Sequence, residues 1–195
     1  AFALTLRQPH VSLVTDKIER IEAAGIRTSD GQLREVDVII YGTGFKASQF
    51  LTPMKVTGRN KVDLHEQWSG DARAYLGVVI PNFPNFFCLY GPNTNIVANG
   101  SIIYFSECEV YYLVECARLL LESKLGSLDP LQEVHDNYNE RIDAANKLRT
   151  WGFSTVSSWY KNAHGRTAQN WPFSVLEFWE QTRVPETSDY KLVSQ

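Results

Sequence analysis

The chain of 195 residues has few of the features that quickly assign a sequence to a class. It has three cysteines, and this odd number argues against a disulfide framework and for a reducing compartment such as the cytoplasm. Lysine and arginine do not cluster, and a net charge of −3 offers no surface for nucleic acid. No apolar run reaches the roughly 18 residues that a membrane-spanning helix requires. The sequence thus excludes a disulfide-rich secreted domain, a nucleic-acid-binding protein and a membrane span.

Motifs for nucleophilic and metal-dependent catalysis are also absent. The sequence has no G-x-S-x-G, and its four histidines form no motif with Ser, Cys or Asp. No histidine pair has zinc spacing, and we expect Cys108 and Cys116 to be small buried hydrophobic residues on a helix. His135 is expected on the solvated side of its helix. The chain is therefore predicted to contain no metal site and no catalytic residue of its own.

The first half of the chain predicts β-structure. An Asp30-Gly31 turn between two short alternating segments is a hairpin signal. The run from Val36 to Tyr41 is nearly all apolar and β-branched, which is typical of a strand buried on both faces of a parallel sheet. Further strands are expected over residues 11–14, 18–22, 26–28, 33–36, 54–57, 61–64, 74–80 and 86–90.

Three helices are predicted in the second half. The first runs from about Ser101 to Lys124 and is apolar around much of its circumference, so it should be largely buried. Asp129-Pro130 is a favourable N-cap and first position for a second helix that ends near Leu148. The third is short and covers Ser174 to Gln181.

Two glycine-containing loops are candidates for ligand binding. Gly42-Thr43-Gly44-Phe45-Lys46-Ala47 matches G-x-G-x-x-A, but Pro53 leaves no room for the helix of a dinucleotide fingerprint. We therefore favour a tight turn where the backbone passes close to a partner or ligand. The second loop joins strand 86–90 to the first helix and is rich in Asn, from Asn93 to Asn99. Its amides and the helix N-terminus suit a phosphate or an electron-rich ring edge, or serve only turns and capping.

The segment from Trp151 to Trp179 is dense in aromatic residues. Such a segment is most often core, and a cleft lip or a membrane-touching patch are the alternatives.

Several segments together resemble the C-terminal third of flavin-dependent monooxygenases of the Baeyer–Villiger type. They are Leu13–Ile21, Gly25–Gly31, the D-x-x-x-x-G-T-G-F run 37–45 (with Gly42 where the family usually has Ala), Ala74–Gly77, Pro81–Phe87, Tyr90–Asn95 and Ser158-Trp159-Tyr160. Their order and spacing cover most of the chain.

The resemblance implies an α/β fold: the C-terminal part of a Rossmann-like FAD/NAD(P)-binding domain, with a β-meander and buried helices. Residues 1–40 would end the NADP domain and form the meander, and residues 41–195 would belong to the FAD domain, with a mobile control loop in region 151–180. The family uses FAD, NADPH and O₂ to insert oxygen next to a ketone carbonyl.

The resemblance also implies roles for individual residues. Gly42, Thr43 and Gly44 would link the two domains near FAD. Asn93, Thr94 and Asn95 would lie beside the flavin ring. Trp159 and Tyr160 would belong to the loop that closes over the nicotinamide and substrate.

The family's two G-x-G-x-x-G fingerprints and the arginine of its active site are absent from this sequence. We therefore expect the chain to be a fragment that needs the N-terminal part of the same polypeptide and is inactive alone. A flavin-containing N- or S-oxygenase fragment and a non-catalytic binding module derived from the family remain alternatives. Disulfide chemistry is disfavoured because there is no Cys-x-x-Cys.

Overall fold

The structure is a computed structural model that describes residues 2–98, 100–153, 155 and 158–194. The chain forms two compact units, Ala1–Phe45 and Lys46–Gln195, here called unit 1 and unit 2. The predicted domain border between residues 40 and 41 stays a prediction. No helix in the described part of the chain is long and apolar enough to cross a membrane.

Unit 1 is a β-meander preceded by one helical turn. Its strands pair antiparallel in the order β1-β2-β3. The Asp30 carboxylate accepts hydrogen bonds from the Thr28 hydroxyl and the Gln32 N–H, and Gly31 takes a positive φ of 82°, so the predicted hairpin turn is confirmed. The elements are α1 (Phe2–Thr5), β1 (Ile18–Glu22), β2 (Gly25–Thr28) and β3 (Leu33–Glu35).

Two strands predicted in unit 1 are wrong. Residues 11–14 and 36–41 are irregular. The second segment was expected to be buried on both faces, yet the side chains of Val38 and Ile40 are 73% and 90% exposed. A strand buried on both faces needs neighbours at its edges and layers above and below it. The described residues of unit 1 supply only the three-stranded meander, so the segment has no ladder to join.

In its described residues, unit 2 contains four α-helices, of 21, 16, 7 and 5 residues, three 3₁₀ turns and a two-stranded sheet. Strand β4 pairs antiparallel with β5, with Leu128 opposite Leu192. The elements are α2 (Leu64–Trp68), α3 (Ile102–Glu122), β4 (Leu125–Pro130), α4 (Gln132–Lys147), α5 (Val175–Gln181) and β5 (Tyr190–Ser194). The three predicted helices are thereby confirmed.

The core of unit 2 is built on one face of α3. Phe105 is fully buried, stacks on Phe178 of α5 at 4.3 Å between ring centroids, and meets the edge of Trp171. Cys108 and Cys116 are buried on this face, as expected. The expectation that α3 is largely buried is wrong, because Ile103 and Leu121 on its other side are 73% and 77% exposed.

The apolar segments 74–80 and 86–90 are not strands. The first is largely buried, whereas Leu89 and Tyr90 of the second are 45% and 40% exposed. Leu76 and Gly77 have φ values of 54° and 72°, which reverse the chain so that the Tyr75 N–H donates to the Val79 carbonyl. The Val78 carbonyl within this turn accepts a hydrogen bond from the Cys88 N–H. The predicted hairpin at 54–64 shrinks to one bridge between Thr57 and Asp63, and the latter caps α2. Local turns, rather than a ladder, satisfy these buried backbones.

The predicted helix cap at Asp129 is also wrong. Asp129 lies in β4, where its carboxylate accepts from Arg59 Nε and from the Asn82 N–H, each at 2.9 Å. Helix α4 begins two residues later than Pro130, with Leu131 at the N-cap. His135 is 7% exposed rather than solvated, because its side of α4 packs on the segment that contains Ala74.

One carboxyl group lies inside the buried face of α3. Glu109 is fully buried and its Oε2 accepts the Tyr90 N–H at 2.7 Å, while its Oε1 has no protein partner. Burial raises the pKa of Glu109 to about 7. The group therefore favours its neutral form in the folded chain.

We expect Phe105→Ala to lower the free energy of unfolding of unit 2 by about 3–5 kcal/mol, because it leaves a cavity at the centre of the core. Urea unfolding followed by tryptophan fluorescence measures the change. The control is Leu121→Ala on the exposed side of the same helix, which should change stability by less than about 0.5 kcal/mol. Equal losses from the two variants would contradict this account of the core.

We expect the unfolding free energy of the wild type to fall, relative to Glu109→Gln, as pH rises from 4.5 to about 7. The unfolded chain releases this proton near 4.5 and the folded chain only near 7, so the folded state binds more protons in this window. Above about pH 7, the difference in unfolding free energy between the wild type and Glu109→Gln should no longer change with pH. Paired urea titrations across the window measure it, and a difference that does not change with pH would contradict the prediction.

Candidate functional site

The loop Gly91–Asn95 is held by close backbone contacts. A Cβ on Gly91 would lie 2.1 Å from the Gly77 carbonyl oxygen, and a Cβ on Gly77 would lie 2.1 Å from Cγ2 of Thr94. Both positions therefore require glycine. The hydroxyl of Thr94 donates to the Gly91 carbonyl at 2.9 Å and closes the turn. The loop is thus rigid, because these contacts fix its backbone.

The Asn side chains of this loop bind the protein itself. Asn93 Nδ2 donates to the backbone carbonyls of Thr167 and Asn170, at 2.8 and 3.1 Å. Asn95 Nδ2 donates to Oδ1 of Asn170 at 2.8 Å and its Oδ1 accepts from the Tyr90 hydroxyl at 3.0 Å. The amides are 2% and 7% exposed. The sequence expectation that these side chains offer donors to a ligand is replaced by a role in fixing the loop.

The backbone N–H groups of this segment differ in whether they make hydrogen bonds within the protein. The N–H groups of Asn93 and Asn95 donate to the carbonyls of Ala168 and Gln169, at 3.0 and 2.9 Å. Among the described residues, the N–H groups of Thr94 and Ile96 make no hydrogen bond. Thr94 is fully buried, at 0% exposed, whereas Ile96 is partly exposed. Of these two N–H groups, that of Ile96 is the donor available to a ligand.

Helix α3 follows the loop and adds a positive helix end. Its N-cap, Ser101, makes no side-chain hydrogen bond, so the N–H groups of the first turn stay available. The expected Asn-rich loop also includes residue 99, which lies outside the described residues. The described part joins a rigid backbone turn to a helix N-terminus, an arrangement that suits an uncharged or anionic electron-rich edge.

A buried arginine, Arg166, ties this loop to the rest of unit 2. Its Nη2 donates to Oδ1 of Asn93 at 2.6 Å, and its Nε donates to Asp143 of α4 at 2.7 Å. Sequence reasoning missed this residue, because a single arginine between Gly165 and Thr167 belongs to no recognised motif. Only the fold brings it to Asn93, 73 positions away in the sequence.

Trp159 and Tyr160 lie at the start of a hairpin that returns at Thr167. The two rings are 4.3 Å apart, and Trp159 is 57% exposed. The Tyr160 carbonyl accepts the N–H of Ala168, whose own carbonyl accepts the Asn93 N–H. The structure therefore joins the predicted site residues Asn93–Asn95 and Trp159-Tyr160 through the backbone of one residue, Ala168. Residues 154, 156 and 157 of the predicted control-loop region lie outside the described residues.

The predicted site residues Gly42, Thr43 and Gly44 lie at the end of unit 1. Gly44 has a φ of 74°, and a Cβ added to Gly42 or Gly44 would meet no atom within 4 Å. The flanking Tyr41 and Phe45 are 71% and 97% exposed. The segment is an open glycine turn with free space around its backbone.

The chemistry of the unit 2 site is that of hydrogen-bond donors without a charged nucleophile. Burial raises the pKa of Tyr90, which therefore stays uncharged near neutral pH, and raises the pKa of Glu109 beside it to about 7, so that this carboxyl is only partly ionised there. Burial raises the pKa of the Cys88 thiol to about 12, which makes it inert. The site holds and orients a ligand rather than attacking it.

The sequence is similar to flavoprotein monooxygenases over nearly its whole length. It is 35% identical over 195 residues to an FAD-binding monooxygenase of Aspergillus niger, a match of 98% of this chain to 32% of that protein. It is 34% identical over 184 residues to a Baeyer–Villiger monooxygenase of Pseudomonas aeruginosa, a match of 94% of this chain to 35% of that protein. No model of a known protein family matches the sequence.

The fold is similar to solved monooxygenases as well. An oxidised steroid monooxygenase bound to NADP matches with a TM-score of 0.79 at 25% identity, over 98% of this chain and 37% of that one. A cyclohexanone monooxygenase of Rhodococcus sp. Phi1 bound to NADP⁺ matches with a TM-score of 0.75 at 20% identity, over 97% and 37% of the two chains. The likeness to the cyclohexanone monooxygenase concerns the fold alone. The two matches confirm the predicted mixed α/β class.

These matches confirm the resemblance seen in the sequence. The chain spans about a third of the length of the curated relatives and solved structures it matches. Over nearly its whole length, the chain is similar to part of flavin-dependent monooxygenases, including relatives named for Baeyer–Villiger chemistry.

Proposed function

We propose that this chain is the C-terminal part of an FAD- and NADPH-dependent monooxygenase that inserts oxygen next to a ketone carbonyl. The observation that carries the proposal is the rigid Gly91–Asn95 loop, which leads directly into Ile96, a partly exposed residue whose N–H group makes no hydrogen bond among the described residues. Relatives of this chain are named for FAD binding and for Baeyer–Villiger chemistry.

The residues of the loop fit a flavin ring edge. A flavin offers ring nitrogens and carbonyl oxygens, which accept hydrogen bonds and gain negative charge on reduction. The N–H group of Ile96 would donate to that edge, and a preorganised donor stabilises developing charge without rearrangement. Bound FAD, reduced by NADPH, would supply the oxygen-transfer chemistry, and this chain would hold the ring in place.

The remaining site residues, Trp159-Tyr160 and Gly42–Gly44, would contact the nicotinamide and FAD respectively. Trp159, exposed and backed by Tyr160, would cover the nicotinamide and exclude water from it. The open turn at Gly42, Thr43 and Gly44 would let the backbone pass close to FAD. We keep residues 1–40 as the end of the NADP domain and residues 41–195 as part of the FAD domain.

The partners follow from the same proposal. The substrates are a small-molecule ketone and O₂, and the remaining walls of the site come from the N-terminal part of the same polypeptide. The three cysteines are free and buried, which is compatible with a cytoplasmic location.

The test is to purify the product of the whole reading frame that contains this chain. We expect it to carry bound FAD with a flavin absorbance spectrum, to oxidise NADPH faster when cyclohexanone is added, and to form the lactone, identified by mass spectrometry. The matched control is this chain alone, which should neither retain stoichiometric FAD nor oxidise NADPH. Absence of FAD from the whole product, or oxygenation only of amines and sulfides, would overturn the proposed reaction.

In that longer protein, Trp159→Ala should raise the dissociation constant of NADP⁺ about tenfold, because loss of a large aromatic contact costs on the order of 1–2 kcal/mol. The FAD content should not change, since Trp159 is assigned to the nicotinamide side. Titration of the flavin spectrum with NADP⁺ measures the constant. Trp179→Ala, which removes another partly exposed tryptophan at 36% exposure, is the matched control and should bind NADP⁺ normally.

A further inference from the structure

Arg166 makes hydrogen bonds to three separate parts of unit 2. Nε donates to the Asp143 carboxylate on α4 at 2.7 Å. Nη1 donates to the Ala72 carbonyl at 3.0 Å and to the Asp71 carboxylate at 3.3 Å. Nη2 donates to Oδ1 of Asn93 at 2.6 Å. One guanidinium group thus joins helix α4, the segment before the 75–79 turn and the Gly91–Asn95 loop.

Arg166 also lies in the hairpin that carries Trp159. The returning side of this hairpin pairs with its outgoing side through the bridge between Lys161 and Thr167. The Arg166 carbonyl accepts the Asn162 N–H at 2.9 Å. A shift of the guanidinium would therefore move the hairpin backbone and the Asn93 side chain together.

The guanidinium is buried and its charge is balanced locally. The Arg166 side chain is 9% exposed, and its two carboxylate partners, Asp143 and Asp71, are 19% and 25% exposed. Its planar set of five donors matches acceptors in fixed directions. A lysine at this position would keep the charge but would lack the donors that reach Asp143 and Asn93 at once.

A second arginine provides a contrast within the same cluster. Arg73 binds the same two carboxylates, Asp143 at 2.8 Å and Asp71 at 3.0 Å. Its side chain is 31% exposed, and none of its described hydrogen bonds or ion pairs reaches Asn93. Arg73 therefore shares the electrostatic environment of Arg166 and lacks its link to the loop.

We propose that Arg166 is a positioning residue that holds the Gly91–Asn95 loop and the Trp159 hairpin in one fixed relative arrangement. This inference rests on the proposed function where it assigns the loop to the flavin and the hairpin to the nicotinamide. In the assembled enzyme, Arg166 then keeps the flavin-facing and nicotinamide-facing segments in register, although it touches neither cofactor.

The first test is amide hydrogen exchange of this chain, read by mass spectrometry. Arg166→Met should raise exchange about fivefold or more in peptides covering 90–95 and 160–168, because the protecting hydrogen bonds open locally. Peptides from the middle of α3 should keep their protection, which shows that the fold is intact. Arg73→Met should leave peptide 90–95 unchanged. Unchanged exchange in Arg166→Met, or an equal rise in Arg73→Met, would overturn the proposal.

Arg166→Lys covers the case in which Arg166→Met does not fold, since it keeps a cation between the two carboxylates. It should still raise exchange in both peptides, because a lysine does not reach Asn93 and Asp143 together. Full protection of both peptides in this variant would overturn the proposal as well.

The second test uses the longer protein and separates this inference from the proposed function. Arg166→Lys should raise the dissociation constant of NADP⁺ about fivefold at unchanged FAD content, whereas Arg73→Lys should not. An unchanged constant, with altered exchange in the isolated chain, would overturn the role of Arg166 in joining the two cofactor sides. If the longer protein holds no FAD while exchange changes as expected, the proposed function fails and the positioning role of Arg166 in unit 2 stands.

Discussion

The hydrogen bonds between residues 93–95 and residues 167–170 are the interaction on which the candidate site depends. They join two segments that are 74 positions apart in sequence and contain no regular secondary structure. Both segments are buried, and a buried backbone without a helix or ladder must find partners elsewhere. Here the amides of Asn93, Asn95 and Asn170 provide them. The Asn-rich composition of the loop is therefore explained by the needs of its own backbone.

The same constraint explains the charges around the loop. Arg166 is buried because Asp71 and Asp143 balance its charge and because Asn93 accepts one of its donors. Glu109 accepts a hydrogen bond from the Tyr90 N–H, and burial raises the pKa of its carboxyl group. Neither group faces solvent as an obvious catalytic side chain. Arg166 binds the Asn93 side chain and Glu109 binds the Tyr90 N–H, and such contacts are hard to recognise from residue types alone.

Much of the local structure followed from the sequence. The Asp30-Gly31 hairpin, α3 and the short helix capped by Ser174 all appear where turn chemistry and periodicity predicted them. These features depend on interactions within a few residues, which a single sequence displays directly. The glycine at 91 was noticed as part of a motif, but its packing against Gly77 became visible only in three dimensions.

The errors have a common physical cause. Segments 36–41, 74–80 and 86–90 were read as strands because their apolar, β-branched composition suits a buried sheet. Composition reports that a segment is buried or prefers extended backbone, but a strand also needs a neighbour with which to pair. Positive φ values at Leu76 and Gly77 turn one of these segments back on itself. Among the described residues of unit 1, the run from Val38 to Ile40 pairs with no strand.

By itself, the sequence determined the family resemblance, the meander, the helices and the two loops worth studying, because motifs and periodicity are properties of neighbouring residues. Only the tertiary structure decided which side chains support those loops. Arg166 and Asn170 have no local signal, since their roles arise from hydrogen bonds to residues more than 70 positions away. Burial then turns such distant contacts into requirements, because each polar group removed from water must be satisfied where the fold places it.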